Sequence, residues 1–296
     1  MRGLAISAAS STDFVTLTKP RVVAMILLAT LCGFLLGTPG TLGAVDWLLL
    51  VRTLFGTALV AGGTLALNQY LERGTDARMN RTLRRPLPAG RMHPIEALAF
   101  GGALVCTGLL YLAIAVRPAS GMVTAVTVTS YLFMYTPLKT RSALCTVVGA
   151  FPGALPPLTG WTAAGGALDA GAAALFGILF FWQLPHSLAI AHLYRDDYEK
   201  AGVKLLPTVD RGGGSTGRQT VLNCLALMAV GLLPSMIGLT GWLSFVMALL
   251  AGGWLLAGGI ALALRDTAVN ARRLLLATYA YIPAVLVTMA LDKLPR

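Results

Sequence analysis

The chain has 296 residues, of which 56% are hydrophobic and only 12% charged, with a formal net charge of +11. A soluble domain carries about 25% charged residues, so this composition excludes one and leaves a polytopic membrane protein. The basic excess suits anionic lipid headgroups or an anionic substrate, and without a soluble binding domain it excludes nucleic acid as a partner.

After a short polar lead over residues 1–21, nine apolar stretches approach the roughly 20 residues a helix needs to cross about 30 Å of hydrocarbon. They are 22–39, 47–70, 95–115, 119–136, 143–160, 171–193, 220–240, 242–264 and 273–291. The first lacks an Ala-x-Ala cleavage site and reads as a retained helix. The fourth and fifth are weaker, because Pro137, Pro152, Pro156 and Pro157 bound or interrupt them. The expected fold is all-α: a membrane bundle of nine transmembrane helices around a central, lipid-accessible cavity, with 1–296 as one domain. Cys32, Cys106, Cys145 and Cys224 stand alone in apolar runs, which predicts small buried side chains and neither a zinc site nor a disulfide framework.

Basic residues mark cytoplasmic loops. With the N-terminus inside, nineteen of the 23 Lys and Arg residues fall on the inner side, six of them between Arg73 and Arg91. Arg52, Arg117, Lys293 and Arg296 remain outside. This predicts a multi-pass protein of a prokaryotic-type plasma (inner) membrane with its charged site at the cytoplasmic face.

That site centres on the end of the second helix. Asn68, Glu72 and Asp76 are spaced i, i+4, i+8, which places them on one helical face with about 40° of drift per step. Two carboxylates and an amide oxygen are hard ligands suited to Mg²⁺, which takes one or two carboxylates and completes its shell with water and phosphate oxygens. The arginines that follow, among them Arg81, Arg84 and Arg85, offer forked donors for a diphosphate. A solvated positive-inside loop with a few counter-ions is the plainer reading.

A second polar cluster follows the sixth helix on the same face: Trp182, Gln183 and His186, then Arg195, Asp196, Asp197 and Lys204. Asp196 and Asp197 are expected to face the first acids across a metal-bridged diphosphate, with Arg195 and Lys204 adding charge. Gln183 and His186 lie within an apolar run, where polar groups are expensive and mark function; for His186 the options are a haem contact, a proton acceptor or a helix-to-helix hydrogen bond. A third inner loop carries Tyr135 and Lys139.

Together these segments resemble the UbiA-type intramembrane prenyltransferases, and within them the haem O synthase branch. The resemblance runs through Leu17-Thr18-Lys19-Pro20-Arg21, Asn68 to Arg91, Tyr135 to Lys139, Pro156-Pro157-Leu158-Thr159-Gly160-Trp161, and Trp182 to Pro207. The family usually has aspartate where this chain has Glu72, and often another where it has Gly74. Asp196 and Asp197 are not followed by the family's second aspartate, since Lys200 and Ala201 stand there.

The resemblance implies transfer of a farnesyl group from farnesyl diphosphate to a vinyl group of haem b. It implies Mg²⁺ held by Asn68, Glu72, Asp76, Asp196 and Asp197, diphosphate bound by Arg81, Arg84, Arg85, Lys139, Arg195 and Lys204, and the prenyl or haem moiety met by Tyr135, Trp161, Trp182 and Gln183. His186 is expected to orient water or take its proton, with released diphosphate as the rival base. Haem b is a substrate here and not a resident cofactor, and a haem A synthase or an oxidase assembly factor is the expected protein partner. Two alternatives stand beside this reading: a UbiA-type enzyme acting on an aromatic quinone precursor, and a secondary transporter of an anionic metabolite. Transporters place polar sites near the bilayer midplane, whereas these acids cluster at one face.

Overall fold

The computed structural model describes residues 9–40, 43, 45–210, 212 and 214–295. Arg2, Arg211 and Arg296 of the basic set lie outside the described residues. Among the described residues the structure is helical, with one isolated bridge between Thr240 and Lys293.

A short helix α1 (Ser11–Thr18) leads into α2 (Pro20–Gly37), followed by α3 (Trp47–Asp76) and α4 (Pro94–Tyr111), which ends in a π-helical turn, Leu112–Val116. Asp46 caps α3 by accepting from the Leu49 amide at 2.9 Å, and Pro94 and Pro118 occupy first turns, where a missing N–H costs nothing. Next come α5 (Pro118–Thr129), a second π-helical turn (Ser130–Tyr135), α6 (Thr136–Leu138), α7 (Cys145–Gly153) and α8 (Pro156–Ala163). The chain continues with α9 (Ala170–Leu193), α10 (Arg195–Lys200), α11 (Leu206–Val209), α12 (Gly214–Met236), α13 (Trp242–Leu264) and α14 (Ala268–Leu291).

Seven of the nine expected crossings are helices long and apolar enough to span a membrane: Pro20–Gly37, Trp47–Asp76, Pro94–Val116, Ala170–Leu193, Gly214–Met236, Trp242–Leu264 and Ala268–Leu291. The other two differ from expectation. The fourth is interrupted by the Ser130–Tyr135 turn, and the fifth is split into α7 and α8 around Ala154 and Leu155. Proline explains the split: Pro156 and Pro157 have no N–H to carry a helix through this point and suit the first turn of a new one.

Helix α8 packs against α2, α5 and α9, while α14 packs against α2, α9 and α13. The α2–α8 crossing depends on glycine. A Cβ at Gly33 would collide with the Pro157 carbonyl oxygen, and one at Gly160 with the Thr30 carbonyl, so the backbones approach as closely as small residues allow. Cys32, Cys145 and Cys224 are buried, but Cys106 is exposed on α4, contrary to expectation.

The two ends of the bundle are unlike. Hydrogen bonds and ion pairs tie the loops 77–93, 139–144, 194–210 and 265–267 into one charged end: Asp13 to Arg91, Arg81 to Asp197, Lys139 to Lys204 and His192 to Asp266. At the other end the Lys293 ammonium donates to the carbonyls of Leu35 and Thr38, and Arg117 donates to the Ala163 carbonyl.

Candidate active site

At the charged end a cavity of about 170 Å³ is walled by Asn68, Glu72 and Asp76 from α3, Arg81 and Arg85 from the loop after it, Tyr131 and Tyr135, Lys139, Tyr198 and Lys19. The i, i+4, i+8 spacing does what it predicts, because α3 runs six residues past the apolar stretch and carries all three groups on its last turns.

Asp76 is 1% exposed. Its Oδ2 accepts from Arg85 Nη1 at 2.6 Å, while Oδ1 is buried with no partner. Glu72 Oε1 pairs with Lys139 Nζ at 2.5 Å. Asn68 donates from Nδ2 to Thr136 Oγ1 at 3.2 Å, and Thr136 Oγ1 donates to the Tyr131 carbonyl at 2.8 Å. The π-helical turn contributes here: it presents Tyr131 and Tyr135 to one cavity, with ring centroids 5.2 Å apart. Such turns insert an extra residue and so re-aim side chains, frequently at functional sites. Lys139 lies over the Tyr135 face, 4.5 Å from its centroid. The Lys204 amide donates to the Lys139 carbonyl at 2.7 Å, so the 194–210 segment holds the lysine in register.

Lys19 was not singled out from sequence, yet it lines the cavity. It sits between α1 and α2 with φ of +48°, the one non-glycine residue with positive φ among those described. Gln69 of α3 pins α1 by donating to the Leu17 carbonyl at 2.8 Å, which brings the junction to the acids. Burial pushes the Lys19 pKa down to about 7, and the positive Arg85 and Lys139 act in the same direction against Glu72 and Asp76. A left-handed residue held at a charged cavity is strain located where function is expected, and the Lys19-Pro20 pair was the only sequence signal for it. Tyr131 and Tyr198, with Thr75, Met79, Val203 and Leu205, are wall residues likewise absent from the expected set.

The second cluster is placed differently from expectation. Asp196 is exposed, and neither it nor Asp197 lines the cavity. Asp197 Oδ2 accepts from the Arg81 amide at 3.2 Å; Arg81 Nη2 donates to Tyr198 OH at 2.8 Å, and its guanidinium lies over the rings of Tyr194 and Tyr198. These contacts make α10 a strap over the loop after α3. Among the described residues no three His, Cys, Asp or Glu side chains come together in a metal-binding group, so the four acids expected to face one another are not gathered. Arg84 and Lys204 are exposed, and Arg195 pairs with Glu199 at 3.3 Å on the surface of α10. Gly74 is exposed too, and a Cβ there would meet nothing within 4 Å, so the missing acid at this position leaves no gap in the cavity wall.

Of the other expected contacts, Trp161 is 2% exposed within the core and donates from Nε1 to the Ala167 carbonyl at 2.7 Å. It is a structural residue and not a cavity face. Gln183 donates to the carbonyls of Leu179 and Ala150 at 3.1 and 3.4 Å. Trp182 and His186 lie between α9 and α14, against Thr278.

The model of the UbiA prenyltransferase family matches residues 26–282. The chain belongs to the UbiA prenyltransferase family. A relative from Solibacter usitatus (strain Ellin6076), a protoheme IX farnesyltransferase by name, is 45% identical over 287 residues, covering 95% of this chain and 98% of the relative. Among solved structures, a digeranylgeranylglyceryl phosphate synthase superposes with a TM-score of 0.78 at 14% identity, covering 95% of this chain and 97% of that one. A UbiA homologue from Archaeoglobus fulgidus bound to GPP and Mg²⁺ does so with a TM-score of 0.62 at 14% identity, covering 94% and 99%. At that identity the two structures establish the shared UbiA fold.

The donor set fits a divalent cation. The Asp76 Oδ1 is a buried carboxylate oxygen with no partner, and two carboxylates with an amide oxygen are the hard oxygen donors that such a cation takes. Lys19, Arg81, Arg85 and Lys139 outnumber the two carboxylates in the wall, so the cavity carries a surplus of positive charge for an anion.

Proposed function

We propose that this chain transfers a farnesyl group from farnesyl diphosphate to a vinyl group of haem b, with addition of water, to make haem O. The observation that carries the reading is the cavity itself: two carboxylates and Asn68 under four cations, beside two tyrosines whose rings are tilted against each other, at the end of an apolar bundle. The name of the 45% identical relative supplies the substrates.

Asn68, Glu72 and Asp76 hold the Mg²⁺, which when bound offsets the diphosphate's negative charge. Lys19, Arg85 and Lys139 donate to diphosphate oxygens as the C–O bond breaks and its electron pair leaves with them. The allylic cation is shielded from water by apolar walls, and the faces of Tyr131 and Tyr135 stabilise it. The vinyl π pair then forms the new C–C bond, leaving positive charge on the carbon next to the porphyrin. Water adds there, and its proton passes to the released diphosphate. A groove of about 370 Å³ shares Glu72, Thr75 and Lys139 with the cavity and is walled by Leu71, Leu132 and Phe133; it gives the site an apolar flank.

On this reading 1–296 forms one domain with nine crossings, α5 to α6 and the broken pair α7 and α8 supplying the two that are not single long helices. The charged end faces the cytoplasm of a bacterial inner membrane, as the distribution of Lys and Arg favours. A haem A synthase or an oxidase assembly factor would then receive the apolar product. Incubation with haem b, farnesyl diphosphate and Mg²⁺, followed by the mass of the extracted porphyrin, tests donor and acceptor together. A porphyrin heavier by one farnesyl group and one hydroxyl is expected. Unmodified haem, with prenylation of an aromatic acid instead, overturns the proposal.

A further inference from the structure

The seam between α9 and α14 holds a histidine whose proton position is set by its neighbours. Thr278 Oγ1 lies 2.6 Å from the Leu275 carbonyl oxygen and 2.9 Å from His186 Nδ1. A threonine hydroxyl has one proton. Two oxygens that close require it between them, so Thr278 donates to Leu275 and has only lone pairs left for His186. Nδ1 must therefore be the donor, and in the neutral ring the lone pair falls on Nε2.

Nε2 has no polar partner among the described residues, and it is not sealed off as a buried atom. The ring is held from two sides. It stacks on Trp182 with centroids 4.7 Å apart and planes 17° from parallel, and meets Tyr279 edge-on at 5.1 Å. Trp182 is itself anchored, donating from Nε1 to the Thr278 carbonyl at 2.8 Å. Tyr279, which borders the ring from α14, is 50% exposed.

An unpaired polar nitrogen within an apolar helix costs free energy without structural return. A fixed tautomer, a braced ring and an open lone pair are what an imidazole needs to bind a metal, with Thr278 as the oriented outer partner of Nδ1. We propose that His186 Nε2 is the axial ligand to the iron of haem b, which docks at the α9–α14 seam as the acceptor. This rests on the haem-farnesylation reading above. The bond is dative, from the Nε2 lone pair to iron, and no proton moves.

The position suits both substrates. His186 is two turns, about 10 Å, from the end of α9, and the chain beyond that end carries Tyr198 into the cavity wall. The porphyrin thus lies in the apolar depth while the diphosphate stays at the charged end. Ligation also removes His186 from the acid–base role expected of it, which leaves the released diphosphate as proton acceptor.

The test uses the full chain in lipid nanodiscs, titrated with ferric haem b or with metal-free protoporphyrin, followed by Soret absorption and low-temperature EPR. The parent protein should show a nitrogen-ligated iron and prefer haem over the metal-free ring. His186→Ala should lose both the signature and the preference, and added imidazole should restore the signature. Thr278→Val, which keeps the ring but removes its orienting oxygen, should weaken haem binding about ten-fold and leave protoporphyrin binding unchanged. An unaltered haem spectrum and affinity in His186→Ala, or equal binding of the two porphyrins by the parent, overturns the ligand. If that variant keeps the parent spectrum while the parent still makes haem O, the ligand falls and farnesyl transfer stands. If the parent binds iron through His186 but yields no farnesylated porphyrin, the reverse holds.

Discussion

The acids at the end of α3 and those in α10 are the same residue types on the same end of the bundle, yet their surroundings differ. Asp76 is buried, bound on one oxygen by Arg85 and left open on the other, whereas Asp196 is exposed and Asp197 accepts from the Arg81 amide. A carboxylate in a low-dielectric cavity with an unmet oxygen is poised to bind a cation, because leaving it unpaired is costly. A carboxylate in solvent carries little of that drive. Charge type marked both clusters, but burial separates the one suited to chemistry from the one that holds a loop.

The largest test of this contrast is Asp76→Asn, which should lower the rate of haem O formation about 10³-fold at saturating substrate, the upper range for losing one electrostatic contact to a transition state. Lys139→Met should be nearly as damaging and in addition destabilise the fold. It leaves the mostly buried Glu72 unpaired, a loss of about 3 kcal/mol that a lowered Tm would report. Asp197→Asn should act through Arg81 and the strap, raising KM for farnesyl diphosphate about ten-fold with kcat little changed, the pattern of lost uniform binding. A fall in kcat as large as that of Asp76→Asn would give α10 a direct chemical role and erase the contrast.

Lys19 gives a smaller, pH-dependent effect. With its pKa lowered to about 7, its ammonium is present below that pH and lost above it, so the affinity for farnesyl diphosphate should fall as pH rises from 6 to 8. Lys19→Arg keeps its charge throughout and should flatten that profile; an unchanged profile would show that another group sets it. Smallest of all, Asp196→Asn should alter neither rate nor KM by more than about two-fold, as expected of a solvated surface charge.

The legible part of the site was the part written within one helix. Asn68, Glu72 and Asp76 share a face because helical geometry repeats every 3.6 residues, and seven crossings are long enough to be read from hydropathy alone. The α7–α8 break was signalled by its prolines, but the turn that carries Tyr131 and Tyr135 was not, since nothing in Ser130–Tyr135 differs in composition from an ordinary apolar helix. Trp161 misled for a related reason: an aromatic beside a motif looks available until its indole is found in the core, bonded to the Ala167 carbonyl.

By itself the sequence determined the class of fold, the charged end, the acidic face of α3 and the family, all of which follow from hydropathy, charge and local periodicity. Tertiary structure alone decided which charges meet. Lys19 reaches the acids through a left-handed junction pinned by Gln69, the second cluster closes over Arg81, and His186 is oriented by a threonine 92 residues away in sequence. Each depends on distances between helices, which packing sets and which no spacing along one helix can report.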